Sequence, residues 1–293
     1  MSQINGADRA AVVKPKLLRF SGGMNRQWYA APYALWMLIF TLVPLLFVVY
    51  YAFTGNGGAF TTANFTKIFQ PGYLPVLLTS LKLALFCTIL CLLIGYPTAY
   101  FLASRDFSSN KMLVVLILLP MWMNFLLRTY AMMTILENNG LLNTLLEKLG
   151  LGKVQIIGTE GAVLLGMVYN FLPFMVLPVY TALKKLDDRV IEAAEDLGAN
   201  PIRVVTRVII PQSIPGVISG ITMVFMPAVT TFAITRLLSN GMIYLVGDMI
   251  EEYFITVNNR NVGSSLSLVM LVLILISTLL LRKVNPDTEG GAA

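Results

Sequence analysis

The sequence predicts an all-α integral membrane protein with six transmembrane helices and both termini in the cytoplasm. Three observations predict it. Apolar residues make up 57% of the 293-residue chain, charged residues only 12%, and the mean hydropathy is +0.75; a soluble domain carries about 25% charged residues. Six runs are long and apolar enough to cross a bilayer, at roughly 20 residues each. Lys and Arg gather on alternate connections, with fourteen of the 21 on one side.

The runs are 32–53, 83–103, 112–135, 161–183, 217–235 and 262–281. They delimit one transmembrane domain, 32–281, between an N-terminal tail 1–31 and a C-terminal tail 282–293. The first run exceeds the roughly 7–15 apolar residues of a signal peptide and follows a basic tail, so it is expected to stay uncleaved. The cation-rich side holds Arg9, Lys14, Lys16, Arg19 and Arg26 in the first tail and Arg105 and Lys111 between runs two and three. It also holds Lys184, Lys185, Arg189, Arg203 and Arg207 between runs four and five, and Arg282 and Lys283 at the end. Positive charge stays cytoplasmic, which sets the orientation. The net charge of +6 then fits anionic headgroups better than nucleic acid.

The chain has no His, which removes the commonest general base, metal ligand and pH switch. Cys87 and Cys91 stand one helical turn apart in an apolar run and read as small buried residues. No catalytic residue and no metal site is predicted. A G-x-x-x-x-G-K-[ST] loop is absent, so the chain is expected to bind no ATP itself. All fifteen acids fall outside the six runs, whereas a proton- or sodium-coupled carrier usually places one inside the membrane.

The connection 184–216 therefore carries the most information. Asp187 or Asp188 can cap a first helix, on which Val190, Ala193, Ala194 and Leu197 form a narrow apolar stripe beside Arg189, Glu192, Glu195 and Asp196. Gly198 can end that helix in a left-handed conformation. Asn200 then caps a second helix with Pro201 in its first position. Two short helices joined by a stiff elbow are expected, their small alanines admitting another surface closely.

Within this elbow, Glu192-Ala193-Ala194, three residues, Gly198, nine residues and Val208-Ile209-Ile210-Pro211 resemble the EAA signature of ABC importer permeases. Only Val208 for Ile and Ile210 for Leu depart from it, both tolerant apolar exchanges. The resemblance implies a type I ABC importer permease fold in which Glu192, Ala193, Ala194, Gly198 and Pro211 couple the chain to a separate ATP-hydrolysing subunit. Within the family, the stretches 119–124, 127–130, 139–143 and 168–178 look like the spermidine/putrescine branch, B-type subunit. That branch implies a C-type permease partner, an ATPase dimer that uses the ATP, and an external polyamine-binding protein, all in a bacterial inner membrane. A permease for another small solute, such as iron(III), sulfate or an amino acid, stays open at this point, as does a stand-alone carrier or channel.

A cationic cargo crossing without intramembrane carboxylates needs aromatic faces and neutral acceptors, each cation–aromatic contact contributing roughly 0.5–2 kcal/mol. Trp122, Asn124, Tyr169, Asn170, Thr230 and Thr231 are the expected path. Asp248, Glu251 and Glu252, in the external connection after run five, are expected to guide cations inward. Arg128 is expected to snorkel outward or to meet carboxylates of the docked binding protein. Prolines 44, 97, 120, 173, 178 and 227 permit bends, and Gly216 and Gly220 form a G-x-x-x-G step suited to close helix contact.

Overall fold

The computed structural model describes residues 31–55, 57–104 and 111–284; Arg9, Lys14, Lys16, Arg19 and Arg26 of the first tail, and Arg105, lie outside them, whereas Arg282 and Lys283 lie within them. The chain divides into two compact units, 1–46 and 47–293. Among the described residues five helices are long and apolar enough to cross a membrane, or six if one sharply bent pair counts as a span.

Helix α1 (Ala31–Ala52) matches the first expected run. It contains a π-helical turn, Leu38–Leu42, closed by the Val43 N–H donating to the Leu38 carbonyl. The second unit is built around α2 (Leu74–Ala103), α6 (Glu160–Lys184) and α8 (Pro201–Thr230), which pack on one another. Their shared core includes Leu83, Cys87, Met167, Met175, Val179 and Val224. Helix α2 begins nine residues before the expected start at 83. Lys82 lies inside it, and its Nζ sits 2.8 Å from both carboxylate oxygens of Glu160 at the start of α6, so the charge that ended the apolar run does not end the helix.

Gly216 and Gly220 make the expected close contact. A Cβ on Gly216 would lie 2.5 Å from the Ala182 Cβ and 2.7 Å from the Pro178 carbonyl oxygen, and one on Gly220 would lie 2.7 Å from the Met175 sulfur. Backbones thus approach where no side chain fits, the packing mode of membrane helices that gain little from hydrophobic burial. The Tyr96 and Ser213 hydroxyls, 2.9 Å apart, tie α2 to α8 nearby.

The third expected run, 112–135, is not one straight span. Helix α3 (Lys111–Trp122) is followed by α4 (Phe125–Leu136), and the segments Met112–Trp122 and Phe125–Lys148 are bent 94° from one another. Pro120 withdraws one N–H from the ladder, and the Asn124 side-chain oxygen accepts from Leu126 N at 2.9 Å and Leu127 N at 3.3 Å. A capped helix start is a local instruction that apolar content alone does not reveal. A short amphipathic helix, α5 (Leu141–Lys148), follows, held by Asn143, which donates to the Glu137 and Val154 carbonyls and accepts from Val154 N.

Helix α7 (Asp188–Asp196) precedes α8. The fifth expected run, 217–235, and the second short helix of the elbow are one continuous helix, α8, which starts at Pro201 and stops at Thr230. After a break at Thr231 and Phe232 come α9 (Ala233–Leu238), α10 (Val246–Ile255) and α11 (Arg260–Val284).

Candidate coupling surface and translocation path

The elbow closes as its local chemistry dictates. The Asp187 carboxylate accepts from Arg189 N at 3.0 Å, and the Asn200 side chain accepts from Arg203 N at 2.8 Å with Pro201 beside it. Gly198 adopts φ +79°, where its N–H donates to the Glu195 carbonyl and the next N–H to that of Ala194. Left-handed backbone without a Cβ penalty turns the chain there. A Cβ at this position would meet nothing within 4 Å, so the requirement is conformational and not steric.

The predicted stripe faces outward except at Ala194, which packs against the core. Leu197 is 89% exposed, Ile202 72% and Val190 43%, and Ala193 is exposed while Ala194 is half-buried. Leu186 and Ile191 instead turn toward the core. Exposed leucine and isoleucine flanked by Glu192, Glu195 and Arg203 form a surface that water alone covers poorly. Behind it a cavity of about 470 Å³ is lined by Tyr100, Ile191, Glu192, Glu195, Val204 and Ile209, which joins the end of α2 to the elbow. Pro211 is exposed, two residues after the end of a π-helical turn, Val205–Ile209.

The six path residues do not share one environment. Trp122, 84% exposed at the end of α3, and Tyr169, 43% exposed on α6, present open aromatic faces. Asn124 caps α4, so its oxygen is already committed. Asn170 is fully buried and donates to the Thr129 hydroxyl at 3.3 Å and to the Gly166 carbonyl at 2.9 Å. Thr230 donates to the Met226 carbonyl, and Thr231 is buried at the helix break. Asn170 therefore ties α6 to α4 and Asn124 caps α4, whereas Trp122 and Tyr169 leave their rings exposed.

The acidic trio also separates. Asp248 is buried, 9% exposed, on α10. It accepts from the Thr235 hydroxyl and from Leu245 N at 2.9 Å, capping its own helix and fastening α9 to α10. Burial pushes its carboxyl up from 3.8 to about 6, against the lowering pull of Leu245 N, Thr235 and Arg236. Glu251 pairs with Arg236 at 2.8 Å. Only Glu252 is an exposed acid of the expected kind. The connection folds back because its acids find donors, so Asp248 is a structural carboxylate and not a guide for cations.

Arg128 does not snorkel either: it is 5% exposed, and its Nε and Nη1 have no hydrogen-bond partner. The ion pairs Lys82–Glu160, Lys153–Glu147 and Arg236–Glu251 were invisible to periodicity, because none joins two residues of one helix.

Comparisons with known proteins agree with this architecture. The chain is 39% identical over 258 residues, 85% of its length and 90% of the relative's, to the spermidine/putrescine transport system permease protein PotB of Haemophilus influenzae. It is 36% identical over 266 residues, 87% of its length and 97% of the relative's, to PotB of Escherichia coli. It superposes with a TM-score of 0.72 at 17% identity on a chain of a bacterial alginate ABC transporter in complex with its alginate pentasaccharide-bound periplasmic protein, covering 91% of this chain and 96% of that one. That likeness shows the fold of an ABC importer permease. Residues 92–290 match the model of the binding-protein-dependent transport system inner membrane component. With the EAA-type elbow exposed between α6 and α8 and several apolar helices around it, the chain belongs to this family of inner membrane transport permeases.

Proposed function

We propose that the chain is the B-type permease of a spermidine/putrescine ABC importer and forms half of its translocation pore. The observation that carries the reading is the 36–39% identity to two polyamine permeases over 85–87% of this chain. The other half is a C-type permease, an ATPase dimer hydrolyses the ATP, and an external binding protein delivers the polyamine. Both termini and the elbow face the cytoplasm, where the positive charge gathers.

Energy enters through α7. Glu192 and its neighbours dock in the ATPase, and closure of the ATPase dimer pulls the elbow, which moves α6 and α8 through the contacts at Gly216 and Gly220. This chain performs no chemistry of its own. Trp122 and Tyr169 attract the ammonium groups weakly enough to release them.

The test is affinity capture of this chain from membranes followed by uptake of radiolabelled spermidine into vesicles reconstituted with the captured complex. ATP-dependent spermidine uptake by a complex containing an ATPase and a second permease is the expected result. Uptake by this subunit alone, or a complex that carries a different solute and ignores spermidine, overturns it.

A further inference from the structure

The Val205–Ile209 turn and Pro211 form a geometry that recurs once among the described residues. At Val205–Ile209 the Ile210 N–H donates five residues back to the Val205 carbonyl, and the next residue is Pro211. At Leu38–Leu42 the Val43 N–H donates five residues back to the Leu38 carbonyl, and the next residue is Pro44. Each π turn thus ends two residues before a proline. Six other prolines, at 97, 120, 173, 178, 215 and 227, lie inside α-helices, so a proline alone does not open the turn.

The physical reason lies in the hydrogen bonds at stake. In α geometry residue 211 would donate to the Arg207 carbonyl, and Pro211 has no N–H to give while its ring crowds that oxygen. Opening the turn by one residue relieves the ring without losing a bond that proline could have made. The run Val204-Val205-Thr206-Arg207-Val208-Ile209 is rich in β-branched residues, which lowers its preference for a tight α turn. Burial records the offset: Val204 and Ile209, five apart, are buried at 4% and 5%, while Val208, four after Val204, is only half-buried.

We propose that Pro211 is a positioning residue for transport: by holding the 205–209 turn open, it sets the angle at which α7 and the start of α8 are presented relative to the membrane part of α8. The membrane part is fixed on α6 at Gly216 and Gly220, five and nine residues beyond Pro211. Closing the turn while keeping every residue would rotate the cytoplasmic segment by about 100°, the angle of one residue at 3.6 per turn. The outward face of α7 would then point elsewhere. π turns of this kind recur at functional sites. The proposal rests on the reading of α7 as the ATPase-docking helix.

The experiment uses membrane vesicles containing the whole transporter, with Cys87 and Cys91 replaced by Ala and single reporter cysteines at Val208 or Ile209. Maleimide labelling should favour position 208 over 209 in the parent. In Pro211→Ala the 208-to-209 labelling ratio should change by about tenfold, equivalent to about 1.4 kcal/mol of differential exposure. Spermidine taken up per ATP hydrolysed should fall by a similar factor. Deleting Thr206, whose hydroxyl is exposed and bonded only to the Ile202 carbonyl, removes the extra residue and keeps the register only where the turn can close. Coupling should therefore be lost in the Thr206 deletion alone, where Pro211 still opens the turn, and return in the deletion combined with Pro211→Ala. An unchanged labelling ratio in Pro211→Ala overturns the proposal, as does lost coupling that the deletion fails to restore. The docking reading fails separately, if Glu192→Lys couples normally while the labelling result holds.

Discussion

The hydroxyl of Thr235 lies 2.9 and 2.7 Å from the two carboxylate oxygens of Asp248, joining the helix after the α8 break to the helix that leads into α11. This one bond, with the Leu245 N–H on the same carboxylate, fixes the fold of the connection between the last two spans. It also gives the connection a pH dependence. The folded carboxyl titrates near 6 and the unfolded one near 3.8. Below pH 3.8 both states are protonated and the contribution is complete. As pH rises toward 6 the unfolded carboxyl ionises first, so stability falls over that window and then levels off, by at most about 3 kcal/mol. Asp248→Asn, which keeps the oxygen that Thr235 and Leu245 use, should flatten the dependence. Thermal unfolding of the purified complex between pH 4 and 7, followed through the thiols of buried Cys87 and Cys91, is the measurement; an equal slope in parent and variant sinks the prediction.

Gly216→Val should fail at the α6 contact. Its Cβ would enter space held by the Ala182 Cβ and the Pro178 carbonyl, both closer than 3 Å, and neither a backbone oxygen nor a helix can yield cheaply. Overpacking of this kind costs about 1–3 kcal/mol or more. The expected outcome is a lower unfolding temperature and poorer recovery of the assembled transporter. Gly57→Val, in open space, should behave as the parent does, and comparable losses in both would remove the packing argument.

Much of this was legible in the chain, and what was not has specific physical causes. The elbow was readable because caps, a left-handed glycine and Pro201 are local signals, and each bond forms as its residue type dictates. The end of the elbow was not: Pro201–Thr230 is one helix because nothing between Val205 and Pro211 ends it, so the second short helix runs on into the fifth span. Lys82 hid the true start of α2, since a charge halts a hydropathy window but not a helix whose cation meets Glu160. Asp248 looked solvated because its partner, Thr235, lies thirteen residues away across a helix break. Arg128 was placed at an outer rim, and tertiary packing buried it.

Trp122 and Asn170 were read as one path, and their environments separate their roles. Trp122→Ala removes an exposed aromatic face from the end of α3 and should raise the concentration of spermidine needed for half-maximal uptake roughly twofold to thirtyfold, the equivalent of about 0.5–2 kcal/mol, with little change in unfolding temperature. Asn170→Leu removes the buried donor that reaches the Gly166 carbonyl and the Thr129 hydroxyl and should cost about 1 kcal/mol of stability per bond lost. Uptake kinetics and thermal unfolding measured on both variants separate the two. A Trp122 variant that unfolds early and transports normally would return that residue to packing.

Gly198→Pro and Gly198→Ala probe the elbow at one position with different severity. Proline fixes φ near −65°, whereas Gly198 needs φ +79°, and its ring also removes the N–H that donates to the Glu195 carbonyl. Alanine keeps that N–H and meets no neighbour, so it pays only the left-handed penalty of about 1–2 kcal/mol. Gly198→Pro should therefore redirect Leu197 and Ile202, abolishing coupled uptake while ATP hydrolysis continues unstimulated by polyamine. Gly198→Ala should reduce coupling modestly and leave assembly intact. Both variants should insert and co-purify with the second permease, because the core of α2, α6 and α8 does not include residue 198. ATPase stimulation and uptake measured on the same vesicles decide the matter: full coupling in the proline variant would mean that the bend between α7 and α8 carries no force.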